Sequence, residues 1–317
     1  MSKKTIKHFI DLDKIDAKEL RKILNLAQKL KKENQLASKL LGQKKLLAGK
    51  NLAMIFEKSS TRTRVSFEVG INQLGGHAIV MNRDDMQLGK GETVEDTAKV
   101  LSRFVDFIMI RSHAHQTISE LAKYASKPVI NALSDYSHPC QIMASILTIE
   151  ESLGKISGKK LAWFGDANNV LNSYIHAAKA FNYELVIATP KEFDFCNDEI
   201  KKAVKAGAKI SYFSDPKKAA KDADVLITDT WISMGDVAES DKKAKAEKLK
   251  KLMPYQVNST LMKLAKKSAI FTHCLPAYRG FEATAEVIDS KQSVIFDEAE
   301  NRLHVQKAIL FWTVNSL

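Results

Sequence analysis

Apolar positions along the chain alternate between a helical and an extended period, and the alternation repeats in order. Leu20, Ile23, Leu24, Ala27 and Leu30 recur at helical spacing, which predicts an amphipathic helix over 16–33. The unbroken run Leu52 to Phe56 reads as a buried strand. A helix follows, carrying Val65, Phe67, Val69 and Ile71 toward Leu74, and Gly75-Gly76 stops it. HAIVM (77–81) is a predicted strand, 93–104 a helix, 106–111 a strand, 120–125 helical and 128–131 a short strand. One long helix spans 138–154, and then the pattern restarts. KLAWFG, ELVIAT, KISYF, DVLITD and AIFTHC are strands, with helices over 170–181 and near Glu199 and a last amphipathic helix over 298–314. Such alternation predicts the α/β class, with parallel sheets covered by helices on both faces. Two doubly wound domains are expected, joined by interdomain helices, with the junction in the helix 138–153. Their expected spans are 1–150 and 151–297, with the C-terminal helix 298–317 packing back on the first.

Composition narrows the class. At 317 residues, 45% hydrophobic and 27% charged, the chain suits two globular domains. No run of 18 apolar residues exists, the N-terminus has no apolar signal core, and Cys140, Cys196 and Cys274 are too scattered for a disulfide framework or a cysteine zinc site. A cytoplasmic protein without a membrane partner is expected. The formal charge of +12 raises nucleic-acid binding as a rival class. Of the 49 basic residues only eight are arginine, however, and the lysines are spread over amphipathic stretches such as Asp241 to Leu252. No RNA- or DNA-binding motif accompanies them, so a solvated lysine surface is expected and no nucleic-acid partner. Scarce arginine also makes each loop arginine informative, because only its planar fork binds an oxyanion bidentately.

Ligands of open parallel sheets collect at the carboxyl ends of the strands, and the polar motifs fall there. SSTRTR (59–64) follows the first strand and opens a helix. The free N–H groups and dipole of a helix start attract anions. The hydroxyls of Ser60, Thr61 and Thr63 and the fork of Arg62 are expected to complete a phosphate cradle, which is not a Walker loop. Arg111 closes the apolar strand Ile108-Met109-Ile110, a costly place for a guanidinium unless it meets an anion or a developing oxyanion. In His138-Pro139-Cys140-Gln141, a neutral imidazole can donate to a carbonyl and the glutamine amide can pair with a planar –CO–NH2 group. In the second half, GDANNV (165–170) lacks the glycines of a dinucleotide loop; Asn169 and the helix N–H groups suit an amino-acid carboxylate instead. Asp229, ending DVLITD, can pair with an α-ammonium group.

These motifs closely resemble those of the aspartate and ornithine carbamoyltransferases. S-S-T-R-T-R-x-S-F-E matches that family's carbamoyl-phosphate loop, H-P-C-Q and His273-Cys274-Leu275-Pro276 agree in order and spacing, and the likeness runs on through MQLGKGETVEDTAKVLSR and DEAENR. Cys140 stands where threonine, isoleucine or leucine is more usual. The resemblance implies that Ser60, Thr61, Arg62, Thr63, Arg111, His138, Gln141, Cys274, Leu275 and Arg302 bind carbamoyl phosphate. It also implies a homotrimer with shared active sites, in which Gln87 reaches the site of a neighbouring subunit.

On the acceptor side, the segment Trp231 to Gly235 resembles the S-M-G loop of the ornithine branch, and H-C-L-P-A stands where aspartate enzymes carry H-P-L-P-R. The resemblance therefore implies carbamoyl transfer to an ornithine side-chain amine, with Asn169, Asp229, Ser233 and Met234 binding ornithine. Arg111, His138, Asp229 and Cys274 would serve the chemistry, without metal or redox cofactor. A role in arginine biosynthesis follows, although metabolite levels set the direction of flux. A sister enzyme acting on putrescine or an N-acylated ornithine is the alternative.

Overall fold

The computed structural model describes residues 6–37, 45–87, 91–193, 197–232 and 241–315. It divides into two compact units, Met1–Ala144 with Glu300–Leu317, and Ser145–Ala299. In chain order the first unit holds α1 (Ala17–Ala37), β1 (Asn51–Phe56), α2 (Thr61–Gln73), β2 (His77–Asn82), α3 (Val94–Phe104), β3 (Phe107–Arg111), α4 (His115–Tyr124) and β4 (Val129–Leu133). The first boundary lies within α5 (Pro139–Leu153). The second unit continues with β5 (Lys160–Phe164), α6 (Asn169–Phe181), β6 (Glu184–Ala188), α7 (Asn197–Lys205), β7 (Lys209–Tyr212), α8 (Pro216–Ala220) and β8 (Val225–Thr228). It ends with α9 (Lys242–Leu252), α10 (Ser259–Leu264), β9 (Ile270–His273) and α11 (Ala285–Ile288), and the second boundary lies within α12 (Ile295–Val314).

Both sheets are parallel. The first has the order β2-β1-β3-β4 and the second β7-β6-β5-β8-β9. Because side chains alternate across a strand, β1 divides its residues between two faces. Ala53 and Ile55 join Ile108 and Ile110 of β3 beneath Ala98 and Leu101 of α3 and Ile118 and Leu121 of α4. Leu52, Met54 and Phe56 take the opposite face and are also buried, which is why the strand reads as one unbroken apolar run. In the second unit Ala162, Phe164, Val186, Leu226 and Phe271 pack with Ala219, Ala220, Leu261, Met262 and Val287 from α8, α10 and α11.

The strand orders fix where ligands can bind. In the first sheet the chain runs to β2 on one side of β1 and to β3 on the other, so the crevice opens above the carboxyl ends of β1 and β3. In the second sheet the same reversal lies between β5 and β8. The pairing of β3 with β4 slips between Ile110 and Arg111, and such a bulge re-aims the side chain at the strand end. Ahead of α1, Phe9 runs beside β4: its N–H donates to Val129 O and its carbonyl accepts from Asn131 N, at 2.9 and 2.8 Å.

Candidate active site

In the first unit, Ser60 is the N-cap of α2 and its Oγ accepts from Thr63 N at 3.3 Å. Thr61 is exposed and Arg62 half-buried, whereas Thr63 is buried. The Thr63 hydroxyl accepts from Nη2 of Arg302 on α12 at 2.7 Å. The three hydroxyls thus divide their work: one caps the helix, one holds a buried arginine, and one faces outward at the helix start. Arg302 is 3% exposed, and α12 is tied to the start of the unit by Lys31 Nζ to Asn301 and Trp312 Nε1 to Glu19, each 2.8 Å.

Arg111 ends β3, and its backbone is fixed from the β1 side. Its carbonyl accepts from Glu57 N at 3.0 Å. The Glu57 carboxylate accepts from Ser112 Oγ and His113 N at 2.6 and 2.9 Å. His138 precedes α5, and its carbonyl accepts from Gln141 N and Ile142 N. Both His138 and Gln141 are buried. Burial, reinforced by the charges of Arg302, Arg111 and Arg62, holds the His138 imidazole well below its ordinary pKa. The ring is therefore neutral near pH 7 and can donate one N–H without carrying charge. Cys140 is fully buried, its Sγ 3.4 Å from the Asn131 carbonyl, and burial raises its thiol pKa to about 12, so it is packing material. Gln87 lies on the surface.

In the second unit the focus is the Asp229 carboxylate, just beyond β8. Asn168 caps α6 by accepting from Val170 N and Leu171 N at 2.9 and 3.2 Å, and its Nδ2 donates to Asp229 Oδ2 at 2.7 Å. The Cys274 thiol donates to Asp229 Oδ1 at 2.9 Å. Asp229 is buried, while Cys274 is partly exposed. Asn169 is the first residue of α6. Leu275 adopts φ +59° ahead of a cis bond to Pro276, and its N–H donates to His273 Nδ1 at 2.8 Å. At Gly165 a Cβ would stand 2.2 Å from Trp231 Nε1, and the φ of +103° also suits glycine. Ser233, Met234 and Gly235 lie outside the described residues.

Asp229, His273 and Cys274 each bring a donor atom within 4.8 Å of the others. His273 Nδ1 already accepts from Leu275 N, and Nε2 faces Glu282 Oε1 at 3.2 Å. With that imidazole turned to Glu282, the side-chain hydrogen bonds to Asp229 come from Asn168 and Cys274. Sequence reasoning missed Asn168, Glu57, Glu282 and the Asp166–Lys248 pair at 2.6 Å. Only Asn168, as a helix-start Asn, left a local signal.

Each unit therefore carries its polar groups at the switch point of a parallel sheet, cationic in one and built on a carboxylate in the other. These features define a two-domain α/β group-transfer enzyme. The family description "Aspartate/ornithine carbamoyltransferase, carbamoyl-P binding domain" matches residues 7–151, and "Aspartate/ornithine carbamoyltransferase, Asp/Orn binding domain" matches 157–313. The ornithine carbamoyltransferase of Nitrobacter winogradskyi is 52% identical over 314 residues, 99% of each chain. Among solved structures, the ornithine carbamoyltransferase of Pyrococcus furiosus is 47% identical with a TM-score of 0.88, covering 96% of both chains. The anabolic ornithine carbamoyltransferase of Campylobacter jejuni is 43% identical with a TM-score of 0.88, over 98% of this chain and 99% of that one. The chain belongs to the aspartate/ornithine carbamoyltransferase family.

Proposed function

We propose that the protein transfers the carbamoyl group of carbamoyl phosphate to the side-chain amine of L-ornithine, giving L-citrulline and phosphate. The observation that carries this reading is the neutral, buried His138 set among the charges of Arg62, Arg111 and Arg302. Three guanidinium groups suit a dianionic phosphate, and the uncharged imidazole suits the carbonyl attached to it. In this reading Ser60, Thr61, Arg62 and Thr63 form the phosphate cradle, with Arg302 held by Thr63. Gln141 takes the carbamoyl amide, and Arg111, His138 and Thr61 hold the carbonyl oxygen.

The amine must first lose its proton. An amine of pKa about 10.4 costs roughly 4–5 kcal/mol to deprotonate at pH 7. Its lone pair then attacks the carbonyl carbon, a C–N bond forms, and the carbonyl electrons move onto oxygen. One well-placed donor to that oxygen is worth about 3–4 kcal/mol. Collapse breaks the C–O bond to phosphate, and the surplus proton leaves the nitrogen. Asp229 is assigned the α-ammonium of ornithine and Asn169 its carboxylate, with Ser233 and Met234 on the same substrate. Cys274 and Leu275 are assigned to the reacting amine and the carbamoyl group.

A homotrimer is proposed, with Gln87 serving a neighbouring copy. Exposed Val65 and Val69 on α2 and Ile79 on the edge strand β2 offer it an apolar face. Among the described residues no helix is long and apolar enough to cross a membrane; a cytoplasmic location and a place in arginine biosynthesis are proposed. The test is a colorimetric assay offering L-ornithine, putrescine and N-acetylornithine in parallel. Citrulline formation is expected to dominate by orders of magnitude. Faster formation of N-carbamoylputrescine, or no phosphate release with any amine, would overturn the reading.

A further inference from the structure

One buried polar cluster of the first unit is left over by the reading above. Asp11 is 5% exposed and precedes the single turn Leu12–Lys14. An aspartate there ordinarily accepts from the N–H groups of the turn it opens. Asp11 makes no such bond. Its carboxylate is turned instead toward the segment that leads into α5. Oδ1 accepts from Ser137 Oγ, and Oδ2 stands 3.1 Å from His115 Nε2.

The other atoms of the cluster converge on the same turn. His115 Nδ1 lies 2.9 Å from Ser134 Oγ, and its backbone N–H donates to Asp135 Oδ1 at 2.9 Å. Ser134 N donates to the Ser137 carbonyl at 2.9 Å, and Ser137 N to Ser134 Oγ at 3.1 Å. Asn131 Nδ2 donates both to Ser137 Oγ and to the Ile10 carbonyl, at 2.9 and 3.1 Å. Asp135 N closes the ring of contacts on the His113 carbonyl at 3.1 Å, in the turn already held by Glu57. Residues 134–137 are thus tied to the ends of β3 and β4 and to the segment ahead of α1. The next residue is His138.

We propose that Asp11 is a positioning residue of the transfer site. Together with His115 it locks the 134–137 turn, so that His138 and Gln141 open α5 in one fixed placement among the three arginines. The proposal rests on the carbamoyl-transfer reading for its consequence in rate. Its geometry requires a buried carboxylate at the far end of the chain from Arg302, brought to the site by the segment 8–10 bonded along β4. Catalytic geometry is sensitive to this kind of support, since a displacement of about 1 Å can cost about a hundredfold in rate.

The test uses the full-length protein and the variants Asp11→Ala, Asp11→Asn and Ser137→Ala, with citrulline kinetics and calorimetric titration of carbamoyl phosphate. Asp11→Ala is expected to lower kcat and weaken carbamoyl phosphate by about tenfold or more each, while the KM for ornithine stays within about twofold. Asp11→Asn keeps an acceptor oxygen for Ser137 and should recover most of that loss. Parental kcat and carbamoyl-phosphate affinity in Asp11→Ala, whatever its melting temperature, would overturn the proposal, as would equal losses for both substrates. Should the alanine variant fail to fold, Ser137→Ala, which removes the Ser137 contact to the carboxylate, decides on the same readouts. A parent protein that binds carbamoyl phosphate yet makes no citrulline would sink the acceptor assignment alone, and the calorimetric comparison of the variants would still judge Asp11.

Discussion

Thr63→Val isolates a single hydroxyl of the proposed phosphate cradle. The two side chains have nearly the same shape, and Thr63 is fully buried, so the main change is the loss of one hydroxyl that accepts a hydrogen bond. That acceptor takes a 2.7 Å bond from Arg302 Nη2, whose guanidinium is 3% exposed. A hydrogen bond to a charged group contributes about 1.5–3 kcal/mol, and a buried donor stripped of it bears the desolvation cost in full. Stability of the first unit should therefore fall by about 2 kcal/mol, a drop of about 4–8 °C in melting temperature for a unit of this size. The loss should also appear in function, because Arg302 no longer has the bond that aims it. The KM for carbamoyl phosphate is expected to rise about tenfold, with the ornithine KM unchanged, equivalent to about 1.4 kcal/mol of lost aim. Thr63→Ser keeps the oxygen and should restore both quantities. Thermal melts and initial-rate kinetics on the three proteins suffice. Should the valine variant melt with the parent and saturate at the parental concentration, the hydroxyl neither supports nor aims Arg302.

Arg111→Lys retains charge but not the fork, and kcat should fall about 100-fold or more in citrulline assays; an unchanged kcat removes Arg111 from the oxyanion role. Burial of His304 on α12, and then the nearby charge of Lys307, lower its pKa to about 4. The unfolded chain then binds a proton that the folded one refuses, so this contribution is complete above about pH 6.5 and drains away as pH falls toward 4. His304→Gln should accordingly lose less stability than the parent across that window, by about 2–3 kcal/mol in denaturant titrations at each pH; parallel acid profiles would contradict it. In a Cys196→Ser background, a thiol reagent should modify Cys274 and leave Cys140 untouched until denaturant is added, because burial raises the Cys140 pKa to about 12. Rapid native labelling of both would show that α5 opens far more readily than its packing implies.

What could be read from the chain follows the range of the physics involved. Apolar runs announced every strand of both sheets, and in inner strands burial on two faces leaves an unmistakable stretch such as Leu52 to Phe56. The start of α2 was legible for a related reason: a hydroxyl such as that of Ser60 at a helix start reports on backbone N–H groups a few residues away. The start of α4 was set too late, at 120 instead of 115, because its first turn is polar and Ala114 provides no capping side chain. Contacts that cross the sequence left no trace. Thr63 and Arg302 lie 239 positions apart, Asp11 and Ser137 lie 126 apart, and Asn168 and Asp229 lie 61 apart. Nothing in the local pattern of either partner names the other. Ser60 and Thr63 looked alike as phosphate ligands in the sequence, yet one serves its own helix and the other a distant arginine.

The paired switch points have an evolutionary reach. In the proposed reading, loops after β1 and β3 grip the group being moved, and loops after β5, β8 and β9 frame the recipient. Mutation can remodel the loops after β5 and β8 while the arginines of the first unit stay unchanged. Descendants of such a chain can explore new amines while inheriting the same activated donor intact.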